Sequence, residues 1–169
     1  MEEDLKQTKK LYLRNFIFGV EDSLVSTVGL ISGVAVAGLD TKVILLTGLI
    51  LIFVEAFSMG AGSLISEHSA TEYTEGKHIL NKSQWRGAGI MFVSYFVAGF
   101  IPLLPYLFFD KQFAFWAAIA FALIALFTLG VINARVFRVK VWQHALEMLV
   151  IGGIAIGLGV IVGKLIGQL

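Results

Sequence analysis

The sequence has no cysteine, two prolines and few charged residues. Without cysteine there is no disulfide framework and no thiolate metal site, so a bound metal must use other ligands. Charged residues make up 15% of the 169 residues, whereas 57% of them are hydrophobic. A soluble domain of this length could not bury so large an apolar surface. The composition therefore indicates a protein that lies in a membrane.

Five apolar segments are long enough to cross a bilayer, since a spanning helix needs about 20 mostly apolar residues. The alternation typical of outer-membrane β-strands is absent, so the spans must satisfy their backbone hydrogen bonds as helices. We expect an all-α, polytopic membrane protein with a single transmembrane domain over residues 1–169 and a short linker over 66–85. The five spans, numbered in chain order, are predicted at 16–38, 43–65, 86–108, 113–134 and 144–166.

Basic residues are distributed unevenly about these spans. One side carries Lys6, Lys9, Lys10, Arg14, Lys77, Lys82, Arg86, Arg135, Arg138 and Lys140, and the other carries Lys42, Lys111 and Lys164. The positive-inside rule therefore predicts a cytoplasmic N-terminus and, with five spans, an external C-terminus. The first fifteen residues contain three acids and are followed by no small-residue cleavage site, so they do not resemble a removable signal peptide.

Glycine is concentrated in spans 1 and 5, with the small-xxx-small spacing that allows close approach of helices. We expect these two spans to pack tightly against each other. Spans 3 and 4 are richer in aromatic residues, and we expect them at the periphery.

Four acidic residues lie inside the spans: Glu21, Asp22, Glu55 and Glu147. A charged side chain at a helix centre costs about 2.5 to 3.5 kcal/mol on insertion scales. Spans 1 to 4 have no deep lysine or arginine to neutralise these carboxylates. The carboxylates must therefore be protonated, hydrated or bound to a cation.

Helical spacing places two of these acids on polar stripes. Span 1 has a stripe of Asp22, Ser26, Gly29 and Gly33, and span 2 has a stripe at the same offsets made of Glu55, Met59, Gly62 and Ser66. We expect the two stripes to face each other. Asp22 and Met59 each lie about 9 Å, or about six residues, from the predicted cytoplasmic surface.

A carboxylate beside a thioether favours a transition metal such as Fe²⁺ or Mn²⁺ over Mg²⁺ or Ca²⁺. Methionine alone in a membrane helix is usually filler, but the alignment of Met59 with Asp22 and Glu55 favours a metal path. One chain supplies too few ligands, so a two-fold dimer that doubles Asp22 and Met59 is attractive. The expected partners are lipid, metal ions, protons and a second copy, with no nucleic acid and no permanently bound cofactor.

Two motifs resemble those of the vacuolar iron transporter family, namely 18–26 (FGVEDSLVS) in span 1 and 56–62 (AFSMGAG) in span 2. The resemblance implies a homodimer that exchanges cytosolic Fe²⁺ or Mn²⁺ for protons. It also implies that Asp22 and Met59 match the pathway aspartate and methionine of the family. Glu55 is assigned from its stripe rather than from the resemblance.

The sequence departs from the family pattern at two places. The usual Asp-Gly pair is Asp22-Ser23 here, preceded by Glu21, which faces either a neighbouring helix or the cytoplasmic mouth. The long helical metal-binding domain of the plant and fungal transporters is replaced by about 20 residues, which makes this a short form. Within them His68, Glu72 and Glu75 share one helical face, as either a reduced capture site or a solvated helical extension.

Glu147 is interpreted as an interfacial residue at a helix N-terminus or as a contributor to ion access. The sequence contains no enzyme motif, so we expect a transporter rather than an enzyme. A non-metal cation or proton channel on the same scaffold is the alternative, and it predicts that Met59→Leu is harmless. We expect a prokaryotic cytoplasmic membrane, or a vacuolar-type membrane if the source is eukaryotic.

Overall fold

The computed structural model describes residues 2–76 and 81–168, and of residues 2–5 and 75 it describes only the backbone. These ranges contain six helices and no strand: α1 Glu2–Val36, α2 Thr41–Glu75, α3 Lys82–Leu103, α4 Pro105–Phe108, α5 Lys111–Phe137 and α6 Val141–Gly167. Five of these helices, all except α4, are long and apolar enough to cross a membrane. The predicted all-α fold with five spans is confirmed.

Helices α1 and α2 are longer than a bilayer requires. Each has 35 residues, which corresponds to about 52 Å, whereas the hydrocarbon core is about 30 Å thick. The surplus lies at the start of α1 and the end of α2, where the charged residues are concentrated. Helix α2 ends at Gly76, whose left-handed backbone (φ 64°) is a conformation that glycine adopts without steric cost.

Two prolines end the third span earlier than its hydrophobicity suggests. Span 3 was predicted to continue to residue 108, but α3 ends at Leu103 and α4 begins at Pro105. Proline lacks a backbone N–H and favours the first position of a helix, so Pro105 starts a new helical turn. Helix α5 then begins after Asp110, whose carboxylate accepts a hydrogen bond from the Phe113 N–H at 3.4 Å.

Helix α1 is the central element of the bundle, with α2, α3, α5 and α6 packed around it. Its side chains Leu24, Val28 and Ile31 are completely buried. The predicted tight packing of spans 1 and 5 is confirmed, because a Cβ atom at Gly33 would lie only 2.6 Å from the carbonyl oxygen of Gly159.

The expectation that span 3 lies at the periphery is wrong. Helix α3 packs against both α1 and α2, and Tyr95 on its inner face is completely buried. Small residues allow this approach: a Cβ at Gly19 of α1 would collide with the Ser94 side chain and lie 3.0 Å from the Met91 carbonyl oxygen. The aromatic content of α3 concealed its small-residue face. In α5, by contrast, the aromatic side chain of Trp116 is exposed on the outer surface of the bundle.

We call the end of the bundle where α1, α3 and α6 begin the basic end, because most lysines and arginines lie there. Helices α2 and α5 end on the same side. Two polar contacts join the first three helices at this end, from Arg14 to Glu67 and from Gln84 to Thr71.

Candidate functional site

Two polar contacts fix how α1 and α2 lie side by side. The Asn15 amide donates to the Ser63 hydroxyl at 2.8 Å, and Arg14 lies 3.2 Å from Glu67. The helices are antiparallel, so a step of seven or eight residues from these pairs places Asp22 beside the 56–59 turn of α2. The expectation that Asp22 and Met59 lie at one level agrees with this register.

Asp22 and Glu55 come together inside the membrane-spanning part of the bundle. Both side chains are half-buried, and their carboxylates are close enough to interact electrostatically. Two neighbouring carboxylates away from bulk water are stable only if a proton or a cation offsets their mutual repulsion. The pair is a candidate site for a cation or for protons, and this assignment stays a prediction. The two stripes do not face each other along their length, because Gly29 and Gly33 of the α1 stripe pack against Ala155 and Gly159 of α6.

A third helix contributes a group that the sequence patterns did not single out. The Tyr95 hydroxyl lies 2.7 Å from the Ser26 hydroxyl, and both Asp22 and Glu55 act on it electrostatically. The Ser23 hydroxyl fixes the backbone beside it by donating to the Tyr95 carbonyl oxygen at 2.6 Å. The predicted site residue Ser26 thus lies next to the carboxylates, within a set of hydroxyl groups from α1 and α3.

Met59 lines a groove of about 620 Å³ between α1 and α2 at the basic end of the bundle. Met91 of α3 and Asn15 of α1 line the same groove. The Asn15 amide nitrogen also donates to the Gly87 carbonyl oxygen at 2.9 Å, which can only accept, so the orientation of the amide is fixed. Its Oδ1 atom has no hydrogen-bond partner among the described residues. The Oδ1 atom is buried, whereas the thioether of Met59 is a ligand that suits a transition-metal cation.

The remaining predicted residues have different surroundings. Glu21 is half-buried beside Asp22. Glu147 is exposed on α6, where its carboxylate lies 2.6 Å from the Nδ1 atom of His144, and it is not among the groups that act on Asp22 or Tyr95. His68 is half-buried and Glu72 exposed on the last turns of α2. The side chain of Glu75 lies outside the described residues.

The described residues contain no group of three or more His, Asp or Glu side chains that could hold a metal ion. Asp22 and Glu55 provide two carboxylates, and further ligands must come from hydroxyl, amide or thioether groups, from water or from a second chain.

Comparison with known proteins identifies relatives over nearly the whole chain. Vacuolar iron transporter homolog 3 of Arabidopsis thaliana is 28% identical over 168 residues, which cover 93% of this chain and 84% of that protein. Vacuolar iron transporter homolog 1 of the same plant is 26% identical over 167 residues, covering 92% and 84%. The model of the VIT family matches residues 13–83 and 75–164, from the first membrane span to the last. This integral membrane protein is a member of the VIT family.

Proposed function

We propose that the protein transports a divalent transition-metal cation, Fe²⁺ or Mn²⁺, out of the cytosol in exchange for protons. The observation that carries the proposal is that Asp22 and Glu55 lie on adjacent antiparallel helices, within the membrane-spanning part of the bundle and near the same level. Carboxylates placed there are costly and are typical of ion pathways. The names of the two plant relatives, both vacuolar iron transporter homologs, agree with this cargo.

The groove lined by Met59 is the proposed access route from the cytosol. It opens at the basic end, which the positive-inside rule assigns to the cytoplasm. Arg14 also lines this groove and would repel a cation, but Glu67 forms an ion pair with it and offsets its charge. A cation can then approach the Met59 thioether before it reaches Asp22.

Exchange follows from competition at the pair of carboxylates. In the empty site, protons on Asp22 and Glu55 remove the repulsion between the two groups. A divalent cation that binds both carboxylates displaces two protons, so the total charge in the membrane does not change. The hydroxyl groups of Tyr95 and Ser26 lie beside the pair and can donate to whichever oxygen is left without a proton or a metal.

Transport by the purified protein in liposomes tests this proposal. External Fe²⁺ or Mn²⁺ should enter the vesicles together with a change in internal pH, measured with a metal-quenched dye and a pH dye. Asp22→Asn keeps the shape of the side chain but removes its charge, and it should reduce both signals to those of empty vesicles. The control is Asp40→Asn, which changes an exposed acid in the α1–α2 loop. Unimpaired transport by Asp22→Asn would refute the mechanism.

The substitution Met59→Leu distinguishes transition-metal transport from the alternative, which is transport of protons or of another cation. Leucine preserves the volume but removes the soft sulfur ligand. If the cargo is a transition metal, Met59→Leu should lower metal flux while leaving the metal-independent proton leak unchanged. Metal flux equal to that of the wild type would favour the alternative.

A further inference from the structure

A second groove lies on the face of α1 opposite to Asp22. Tyr12, Phe16 and Val20 of α1 form one wall, and the segment of α3 from Arg86 to Ile101 forms the other. Asp22 is two residues beyond Val20, which rotates it by about 200° around the helix axis. This groove, of about 760 Å³, is therefore separate from the proposed ion pathway.

The groove is apolar along its length and charged at one end. Valine, isoleucine and phenylalanine dominate its walls, while Arg86 and Tyr12 lie toward the basic end. None of the acidic side chains that the structure describes forms an ion pair with Arg86. Arg86 lies four residues after the start of α3 at Lys82, which is the level of lipid headgroups for a span that begins there.

The dimensions of the groove correspond to one leaflet of a bilayer. The distance from Arg86 to Ile101 is about 22 Å along a helix. The hydrocarbon of one leaflet is about 15 Å thick, and the remaining length reaches the headgroup region. Gly89 leaves this part of the surface open, because a Cβ atom added to it would meet no other atom within 4 Å.

We propose that this groove binds one phospholipid of the leaflet at the basic end, with an acyl chain between α1 and α3 and the phosphate on Arg86. Guanidinium groups bind phosphate oxygens in a bidentate manner, and basic pockets between membrane helices recognise anionic headgroups. The phenolic hydroxyl of Tyr12 provides a further polar group at the same end. A zwitterionic headgroup carries a cation that offsets its phosphate and is repelled by Arg86, so the site selects anionic phospholipid. This recognition does not depend on the cargo of the transporter.

Native mass spectrometry of the full chain tests the proposal. Delipidated protein is titrated with phosphatidylglycerol and with phosphatidylcholine of identical acyl chains. The wild type should hold one phosphatidylglycerol preferentially. Arg86→Gln should weaken this binding about fivefold, the ratio that corresponds to about 1 kcal/mol for one basic residue, and should abolish the preference between the two lipids.

Gly89→Leu should prevent retention of either lipid, because its side chain fills the groove. The matched control is Gly153→Leu on α6, where an added Cβ also meets nothing within 4 Å. Lipid retention by Gly89→Leu equal to that of the wild type, or equal losses in the two leucine variants, would overturn the proposal. A shift of Gly89→Leu from dimer to monomer in the same spectra would instead identify the groove as an interface between copies, which also overturns it. Asp22→Asn should bind lipid like the wild type, so this result is independent of the proposed transport.

Discussion

Tyr95 is the residue that connects α3 to α1 beside the carboxylate pair. Its ring is completely buried, its hydroxyl meets Ser26, and its backbone carbonyl accepts from Ser23. In the proposed exchange of protons for a cation, a hydroxyl on which both Asp22 and Glu55 act can serve as donor or acceptor. Tyr95 is therefore expected to position the pair rather than only to fill space.

Tyr95→Phe removes this hydroxyl and keeps the ring. We expect metal flux to fall about tenfold, which is the smaller end of the effect seen when a group that orients metal ligands is removed. The pH profile of transport should also shift. The free energy of unfolding should fall by about 1 kcal/mol, because one buried hydrogen bond is lost. Liposome flux measured over a range of pH, with thermal unfolding of the same preparations, provides both readouts.

Tyr106→Phe is the matched control. Tyr106 is also buried, but its hydroxyl has no hydrogen-bond partner among the described residues. Its removal should leave flux and the pH profile unchanged and should not destabilise the protein. Equal behaviour of the two phenylalanine variants would contradict the positioning role of Tyr95.

At the residue scale, the sequence singles out groups whose chemistry is unusual in a membrane, and their role stays a prediction. Asp22 and Glu55 were predicted because a carboxylate in an apolar span is conspicuous, and helical spacing indicated their faces. Tyr95, Asn15 and Met91 were not predicted, since neutral residues of these types are common in membrane helices. Their contribution depends on where α3 lies, which periodicity within α1 and α2 does not determine.

At the scale of the elements, glycine spacing correctly predicted that α1 packs against α6. Aromatic content led to the wrong prediction that α3 is peripheral. The α1–α6 contact follows from small-xxx-small spacing, since helices in lipid associate through close packing of small residues. The same physics brings α3 against α1 through Gly19, Gly87 and Gly99. The glycines of α3 favour a close contact with α1. The phenylalanines on its other face favoured the peripheral position that the sequence analysis predicted.

The α1–α6 contact can be tested with single methyl groups. Gly33→Ala places a Cβ 2.6 Å from the Gly159 carbonyl oxygen, and two backbones must then separate. We expect a loss of about 1 to 3 kcal/mol, as for other overpacked sites. Unfolding in a mixed-micelle denaturation series measures the change.

Gly153→Ala is the control for this experiment, because its added methyl group meets no atom within 4 Å. Alanine is the better helix former, so this variant should be as stable as the wild type or slightly more stable. If Gly33→Ala and Gly153→Ala unfold at the same denaturant concentration, close contact between α1 and α6 does not contribute to the stability of the protein.

At the scale of the whole molecule, the distribution of polar groups distinguishes the two sides of α1. One side carries Arg14, Phe18 and Asp22 near α2, and the other carries Phe16 and Val20 in the apolar groove. The described residues of one chain contain no group of three acidic or histidine ligands that could hold a metal ion, so a second copy placed on the Asp22 side would add further ligands. A two-fold axis there would bring the same surface of both copies together.

The absence of cysteine allows this arrangement to be tested with single-cysteine variants. Phe18 and Phe16 are on the same helix and similarly exposed, at 49% and 44%, but they point to opposite sides. In proteoliposomes, a short bifunctional thiol reagent should join two copies of Phe18→Cys, because Phe18 lies one turn from Asp22 on the proposed dimer side. It should leave Phe16→Cys monomeric on a denaturing gel, since that side faces lipid. Cross-linking of Phe16→Cys alone would contradict this arrangement and would place the two-fold axis at the apolar groove. The carboxylate pair would then have to bind its cation without a second chain.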